Sequence, residues 1–384
     1  MRKLIWLILI AIIAGAGWFA WAVLTPVDVS GQTFVMLHPG YSTRRIATEL
    51  KGAGLIHSAT AFVLLHYVHD RRSLKAGEYL FDKPASTVDI LKRVQRGDVY
   101  FHTVVVPEGY TMFDIAHAVE AAGLGPADNF LKVVQSETAL IADLAPNAHS
   151  LEGYLFPDTY EFSRMQSMEE IAAEMVCQFR IEARKIGLIT TAAAPVEAAD
   201  GSARESTSSP RRCGTIIMRI RVRNQDPNQA QAEASQPDQP QTLAQPQSDV
   251  ERTVVMASIV EKETSVPEER PVVASVYYNR LAKRIALDAD PSIIYAELLA
   301  GKYEGALHHE DMSFSSPYNT YRNPGLPPGP IANPGRSALE AAMHPSQTEY
   351  YYVVADAQGH HRFARTIEEH DRNVEEYRKA MRGR

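Results

Sequence analysis

Few side chains in this chain have the type and spacing to do chemistry, and one pair stands apart. The run from Glu251 reads ERTVVMASIVEKET, a helical pattern that is apolar around much of its circumference and ends on two acids, Glu261 and Glu263. Three, four and seven residues before Glu263 stand Val260, Ile259 and Met256; before Glu261 stand Ser258, Ala257 and Val254. Residues at these spacings are helical neighbours, so Glu263 shares the bulkier apolar stripe. It also sits at the helix C-terminus, where the macrodipole disfavours negative charge. Both effects raise a carboxyl pKa, as a general acid requires. A solvated Glu-Lys-Glu cap is the plainer reading of the same residues.

Other polar groups are scattered. The loop Ser315–Pro334, SSPYNTYRNPGLPPGPIANP, is stiffened by Pro and Gly. Its Tyr318, Asn319, Tyr321 and Arg322 could stack on and hydrogen-bond to sugars; a rigid surface loop is the alternative. Asp290-Pro291-Ser292 opens a helix with Pro at an early position. His308-His309-Glu310-Asp311 and His360-His361 are metal-ligand types, yet the HExxH spacing that puts two histidines on one helical face is absent. No metal site and no cofactor is expected. Cys177 and Cys213 could pair in an oxidising compartment, but their spacing neither requires nor forbids it.

The elements that position these groups follow from pattern. The 384 residues suit one large or two to three modest domains, and a net charge of −7 argues against a nucleic-acid partner. All three Trp, at 6, 18 and 21, lie in Leu4–Leu24, a run of 21 residues without a charge. As a helix it is roughly 31 Å long, enough to cross a hydrocarbon core. Arg2 and Lys3 precede it, which argues for a cytoplasmic N-terminus and an exported remainder. Ala20-Trp21-Ala22 also has the form of a cleavage site, so a signal peptide is the competing reading.

Next comes an internal repeat. His38–Ile56 and Pro107–Gly125 match at an offset of 69 residues, with seven of 19 positions identical. Each copy follows a β-like run, Thr33–Leu37 or Thr103–Val106. Each then shows a turn Gly, a cap (Ser42 or Thr111), an amphipathic helix and a stop Gly (54 or 123). Leu80–Gly97 repeats the theme loosely, with Thr87 as the cap. This pattern resembles the LysM-like module, which in many exported proteins binds N-acetylated wall sugars; a structural spacer is the alternative. Farther on, LEGYLFPDTYEF from Leu151 reads as strand and turn, and Ser167 caps a helix to about Ile186. Residues 190–249 are rich in Gln, Ala and Ser and read as a disordered insertion. Within it, Ile216–Arg223 (IIMRIRVR) could be a basic edge strand or touch an anionic surface. After the Glu251 helix come a second amphipathic helix (Glu268–Arg284), a third from Asp290, a short one near Arg336–Met343, a buried strand Tyr350–Ala355 paired with Gly359–Phe363, and a final helix Ile367 to about Met381.

In order, LEGYLFPDTYEF, MASIVEKET, ASVYYNRL, DPSIIYA, SPYNTYRNPGLPPGPIANPG, YYYVVAD and GHHRF resemble the MltG/YceG family of endolytic murein transglycosylases over nearly the whole chain. The resemblance implies an α+β fold: an N-terminal transmembrane helix (1–27), a LysM-like α/β module (28–148) and a mixed α+β catalytic domain (149–384) interrupted by the insertion. It also implies cleavage of the β-1,4 bond between N-acetylmuramic acid and N-acetylglucosamine within peptidoglycan strands, leaving a 1,6-anhydro end. Such enzymes carry a catalytic Glu followed by Ser or Thr; Glu263-Thr264 fits and Glu261-Lys262 does not, so Glu263 leads with Glu261 as runner-up. Asp290, Asn319, Tyr321 and His361 match family motif positions and imply substrate-groove roles. Peptidoglycan strands, the inner membrane and peptidoglycan synthases are the implied partners. The chain departs from the family in its long insertion and in Gly359-His360-His361-Arg362-Phe363, where His360 replaces a second glycine. A non-enzymatic wall-binding scaffold and a hydrolytic muramidase are the competing functions. With every Trp in the first helix, Tyr318 and Tyr321 are the expected sugar platform.

Overall fold

A computed structural model describes residues 2–29, 31–69, 72–190, 248–356 and 358–382. The stretch 191–247, which holds nearly all of the expected insertion together with Cys213 and the Ile216–Arg223 run, lies outside the described residues. The fold is mixed α/β, with one N-terminal apolar helix and three two-stranded sheets among the described residues. The chain divides into two compact units, Met1–Thr103 with Glu161–Ser167, and Val104–Tyr160 with Met168–Arg384.

The first unit contains α1 (Arg2–Leu24), β1 (Thr33–Leu37), α2 (Thr43–Gly52), α3 (Ala59–His69), β2 (Gly77–Phe81) and α4 (Thr87–Arg96). β1 and β2 pair antiparallel, with Thr33 opposite Phe81 and Leu37 opposite Gly77. The alternation in β1 points Val35 and Leu37 into a core with Ile46, Leu50, Phe62, Tyr79, Leu91 and Val94. Most of α1 is exposed, but Ala22 and Val23 in its last turn belong to this core. Thr87 Oγ1 donates to the Ala22 carbonyl (3.0 Å), and Trp21 stacks on His57 at 4.5 Å between ring centroids.

Local signals set the helix ends. Ser42 caps α2 by accepting from the Arg45 N–H. The cap of α4 is Ser86 rather than the expected Thr87: Asp89 stands three residues after Ser86, and the two complete a capping box. Thr87 is the first helical residue, and Gly97 stops the helix in the left-handed conformation, φ +78°.

β3 (His102–Val105) and β4 (Thr159–Phe162) form the second sheet, and the chain passes between the units within these strands. The first repeat copy therefore belongs to the first unit and the body of the second copy to the other. The second unit contains α5 (Met112–Ala121), α6 (Ala127–Ser136), α7 (Met168–Lys185), α8 (Asp249–Glu263), α9 (Arg270–Ala282), α10 (Asp290–Leu299), α11 (Arg336–Met343), the β5–β6 hairpin (Tyr352–Ala355 and His361–Ala364) and α12 (Ile367–Arg382). α8 is its central post, packed against α9, α10 and α11, and every side chain from Val254 to Val260 is fully buried.

Two expectations about this unit change. β5 is only half-buried, because α12 covers the hairpin from one side and supplies no fully buried residue of its own. The loop Ser315–Pro334 is not a surface loop throughout: Leu326–Gly335 is buried. Pro327, Pro328, Pro330 and Pro334 bring no N–H groups that would need partners inside. The Ile331 N–H donates to Ser258 Oγ at 3.0 Å, and the Asn333 N–H to the Tyr110 carbonyl at 2.9 Å.

Candidate active site

The two acids that close α8 face different surroundings. Glu261 is the more enclosed and is held on both oxygens: Arg270 Nη2 donates to Oε1 at 2.6 Å and the Gly335 N–H to Oε2 at 2.9 Å. Arg270 also reaches Glu108, and Lys262 donates to the Gly109 carbonyl. This web ties α8 to α9 and to the segment before α5. Burial raises the Glu261 carboxyl too, with the Gly335 N–H and Arg270 pulling against it, so what sets it apart is that both of its oxygens are committed to a joint between elements.

Glu263 is half-buried, and Tyr277 Oη, one helix away on α9, donates to its Oε2 at 2.9 Å. Burial raises the Glu263 carboxyl above its ordinary pKa, the nearby Asp290 charge adds to that, and the Tyr277 hydrogen bond, His361 and Arg280 pull against it. Tyr277 is pushed well up by burial and by Glu263, so it stays a donor. The helix ends immediately after: Thr264 turns to extended backbone and its Oγ1 accepts the Val266 N–H at 3.0 Å.

Three of the four other expected residues gather here. Asp290 lies in the first turn of α10 and accepts from Tyr321 Oη at 2.6 Å. Burial and the Asp290 bond, with Asp288 and Glu263 beyond, raise the Tyr321 hydroxyl, which remains a donor. His361 opens β6, where a positive charge on its ring would lower the Glu263 pKa. Asn319 stands apart. It is fully buried, its amide donates to the Met312 and Phe314 carbonyls, and its Oδ1 accepts the Tyr321 N–H. It shapes the loop that carries Tyr321 and has no free polar atom to offer a sugar. Tyr318 is likewise core, packed edge-on against Tyr295 at 5.1 Å, which leaves Tyr321 as the exposed ring of the pair. Thr320 secures the loop by accepting the Ala289 N–H at 2.9 Å.

The apolar-stripe comparison does not separate the two acids, because α8 is buried on all sides just before both. Their hydrogen-bond partners differ, and those partners lie on other elements. Tyr277 and Arg280 sit in ASVYYNRL, a segment whose spacing says nothing of a carboxyl on α8. Arg280 is braced by Asp288 at 2.6 Å and by the Leu287 carbonyl, in a bend where Arg284 and Asp288 both adopt positive φ. Glu152, in LEGYLF, was equally hidden. It is buried and accepts the Met112 N–H (2.9 Å) and Asn333 Nδ2 (2.6 Å), and burial pushes its carboxyl up to about 8.

A carboxyl at a helix end whose pKa burial raises, with a tyrosine donor on it and an acid–tyrosine pair nearby, has the groups that general acid–base chemistry requires. The YceG-like family profile matches residues 35–376, and the chain belongs to that family. It is 29% identical to the endolytic murein transglycosylase of Bacillus subtilis (strain 168) over 95% of its length and 91% of the relative's. It is 27% identical to the endolytic murein transglycosylase of Streptococcus pneumoniae serotype 2, covering 97% of this chain but 64% of that longer protein. The crystal structure of a YceG-like protein from Listeria monocytogenes is similar, with 29% identity, a TM-score of 0.50, and coverage of 90% of this chain and 99% of that one.

Proposed function

We propose that this chain is a membrane-anchored endolytic murein transglycosylase that cuts the MurNAc-β-1,4-GlcNAc bond within peptidoglycan strands and leaves 1,6-anhydroMurNAc ends. The observation that carries the reading is Glu263: a carboxyl whose pKa burial raises, hydrogen-bonded by Tyr277, in a chain of this family. Protonated Glu263 donates to the glycosidic oxygen as its bond to C1 of MurNAc breaks. The sugar's acetamido group shares the positive charge that develops at C1. The C6 hydroxyl oxygen then bonds to C1 and its proton returns to Glu263, so no water is consumed. Asp290, Tyr321 and His361 line the groove and orient the sugar.

The 23-residue α1 is long and apolar enough to span a bilayer, which supports a single-pass inner-membrane anchor with Arg2 and Lys3 on the cytoplasmic side. Cutting close to the membrane would limit glycan length beside the synthases that make it. The LysM-like repeat either contacts the strand or sets its distance from the membrane.

Digestion of purified peptidoglycan, read by mass spectrometry, tests the reaction. New 1,6-anhydro ends are expected, and Glu263→Gln should lose about 10²–10⁴-fold in rate. Equal yield from Glu263→Gln would sink the mechanism. Reducing ends carrying an added water would instead assign a muramidase, with Asp290 as the second carboxylate.

A further inference from the structure

Glu269 lies in the short 3-10 turn Pro267–Glu269 that follows Glu263. Two consecutive histidines of the β5–β6 hairpin grip its carboxylate. His361 Nδ1 is 2.6 Å from Oε2, His360 Nδ1 is 3.0 Å from Oε1, and the His361 backbone N–H donates to Oε1 at 3.3 Å. The His361 ring is buried, while His360 is largely exposed. With Nδ1 committed to Glu269, His361 keeps Nε2 free for another partner. Burial opposes charge on Glu269, but the bonds from both histidines outweigh it and hold this carboxyl below its ordinary range.

We propose that Glu269 is a positioning residue for Glu263, acting through His361, and that His360 is a second arm of the same clamp. This rests on the reading of Glu263 as the acid. When Glu263 gives up its proton, its carboxylate is left half-enclosed, and the His361 ring is held where a positive charge on it would steady that carboxylate until the C6 proton arrives. Glu269 keeps the ring oriented through the Nδ1 contact and the bond from the His361 backbone N–H. Among the described residues of this turn the positive φ falls at Gly359, +88°, so position 360 carries its side chain on unstrained backbone. The other charged and titratable groups around the clamp are Glu263 on α8, Tyr277 and Arg280 on α9, Asp290 on α10, and Asp356 and Arg362 on the hairpin, with Glu376 of α12 paired to Arg362. Asp356 Oδ1 also accepts the His360 N–H at 2.9 Å.

The test is the pH–rate profile of the full-length protein in detergent micelles on purified peptidoglycan, counting anhydro ends. The alkaline limb reports loss of the Glu263 proton. In Glu269→Gln the limb should move up by about 0.5–1 pH unit, with kcat about tenfold lower and KM unchanged. His361→Gln should move it equally, and the double variant no further. His360→Gly, at an exposed position, should move it in the same direction by a smaller amount. An unmoved limb in Glu269→Gln overturns the proposal whatever the overall loss of rate. Should that variant not fold, an unmoved limb in both His361→Gln and His360→Gly does the same. Absence of anhydro ends from the wild-type protein would overturn the proposed function instead.

Discussion

Glu261 and Glu263, two residues apart on one helix, show how far a side chain's role depends on what faces it. Both are acids at the end of a buried helix. An arginine and a backbone N–H hold Glu261 as a joint, whereas burial and the nearby Asp290 charge dispose Glu263 to hold a proton against the pull of the Tyr277 hydrogen bond. Glu152 is a third buried acid, and it carries a pH prediction. Burial lifts its pKa from 4.5 to about 8 in the folded protein. Between those values the folded state holds a proton that the unfolded chain has released, so its contribution to stability falls as pH rises through that window. Glu152→Gln should remove this slope. The variant should gain on wild type by on the order of 3 kcal/mol between pH 5 and pH 8. Urea midpoints measured at both pH values check this; parallel shifts would refute it.

At the scale of elements, the second unit depends on how closely a loop can approach α8. Gly153 has φ +85°, and a Cβ there would lie 2.4 Å from Pro330 Cγ and 2.9 Å from Val254 Cγ1. Gly153→Ala combines a disfavoured backbone with overpacking and should cost about 3 kcal/mol. Chemical denaturation should show an earlier midpoint with an unchanged slope. The motif LEGYLF thus contains a glycine required for packing beside an acid required for bonding, although neither role is legible in the string itself. The helix caps were legible. Ser42 and Thr111 act where expected, and the one-residue error at Ser86 arose because Thr87 can also cap and only the reach of Asp89 decides between them.

For the whole molecule, α1 is more than an appended apolar helix. Its last turn contributes Ala22 and Val23 to the first unit's core and accepts a hydrogen bond from Thr87. Removing residues 1–24 should therefore destabilise the first unit by about 2 kcal/mol, from the apolar area uncovered and the lost bond. Hydrogen exchange should speed up in α2, β2 and α4 while α8 keeps its protection. Uniform exchange changes in both units, or none, would contradict this.

What the sequence determined by itself is what short-range physics controls. The apolar run of α1, the glycine stops, the capped helices, the hairpin and the acid-terminated helix all follow from period, propensity and caps, which act over a few residues. The family was legible too, because its motifs are contiguous strings. The tertiary structure decided the rest. It gave Glu261 and Glu263 different hydrogen-bond partners, set Tyr277 on Glu263 and Arg270 on Glu261, and sent Asn319 and Tyr318 inside. Glu269 and His361 are 92 residues apart in the chain. Desolvation and hydrogen bonding set what a carboxyl does, and both depend on neighbours that only packing brings within 3 Å of each other.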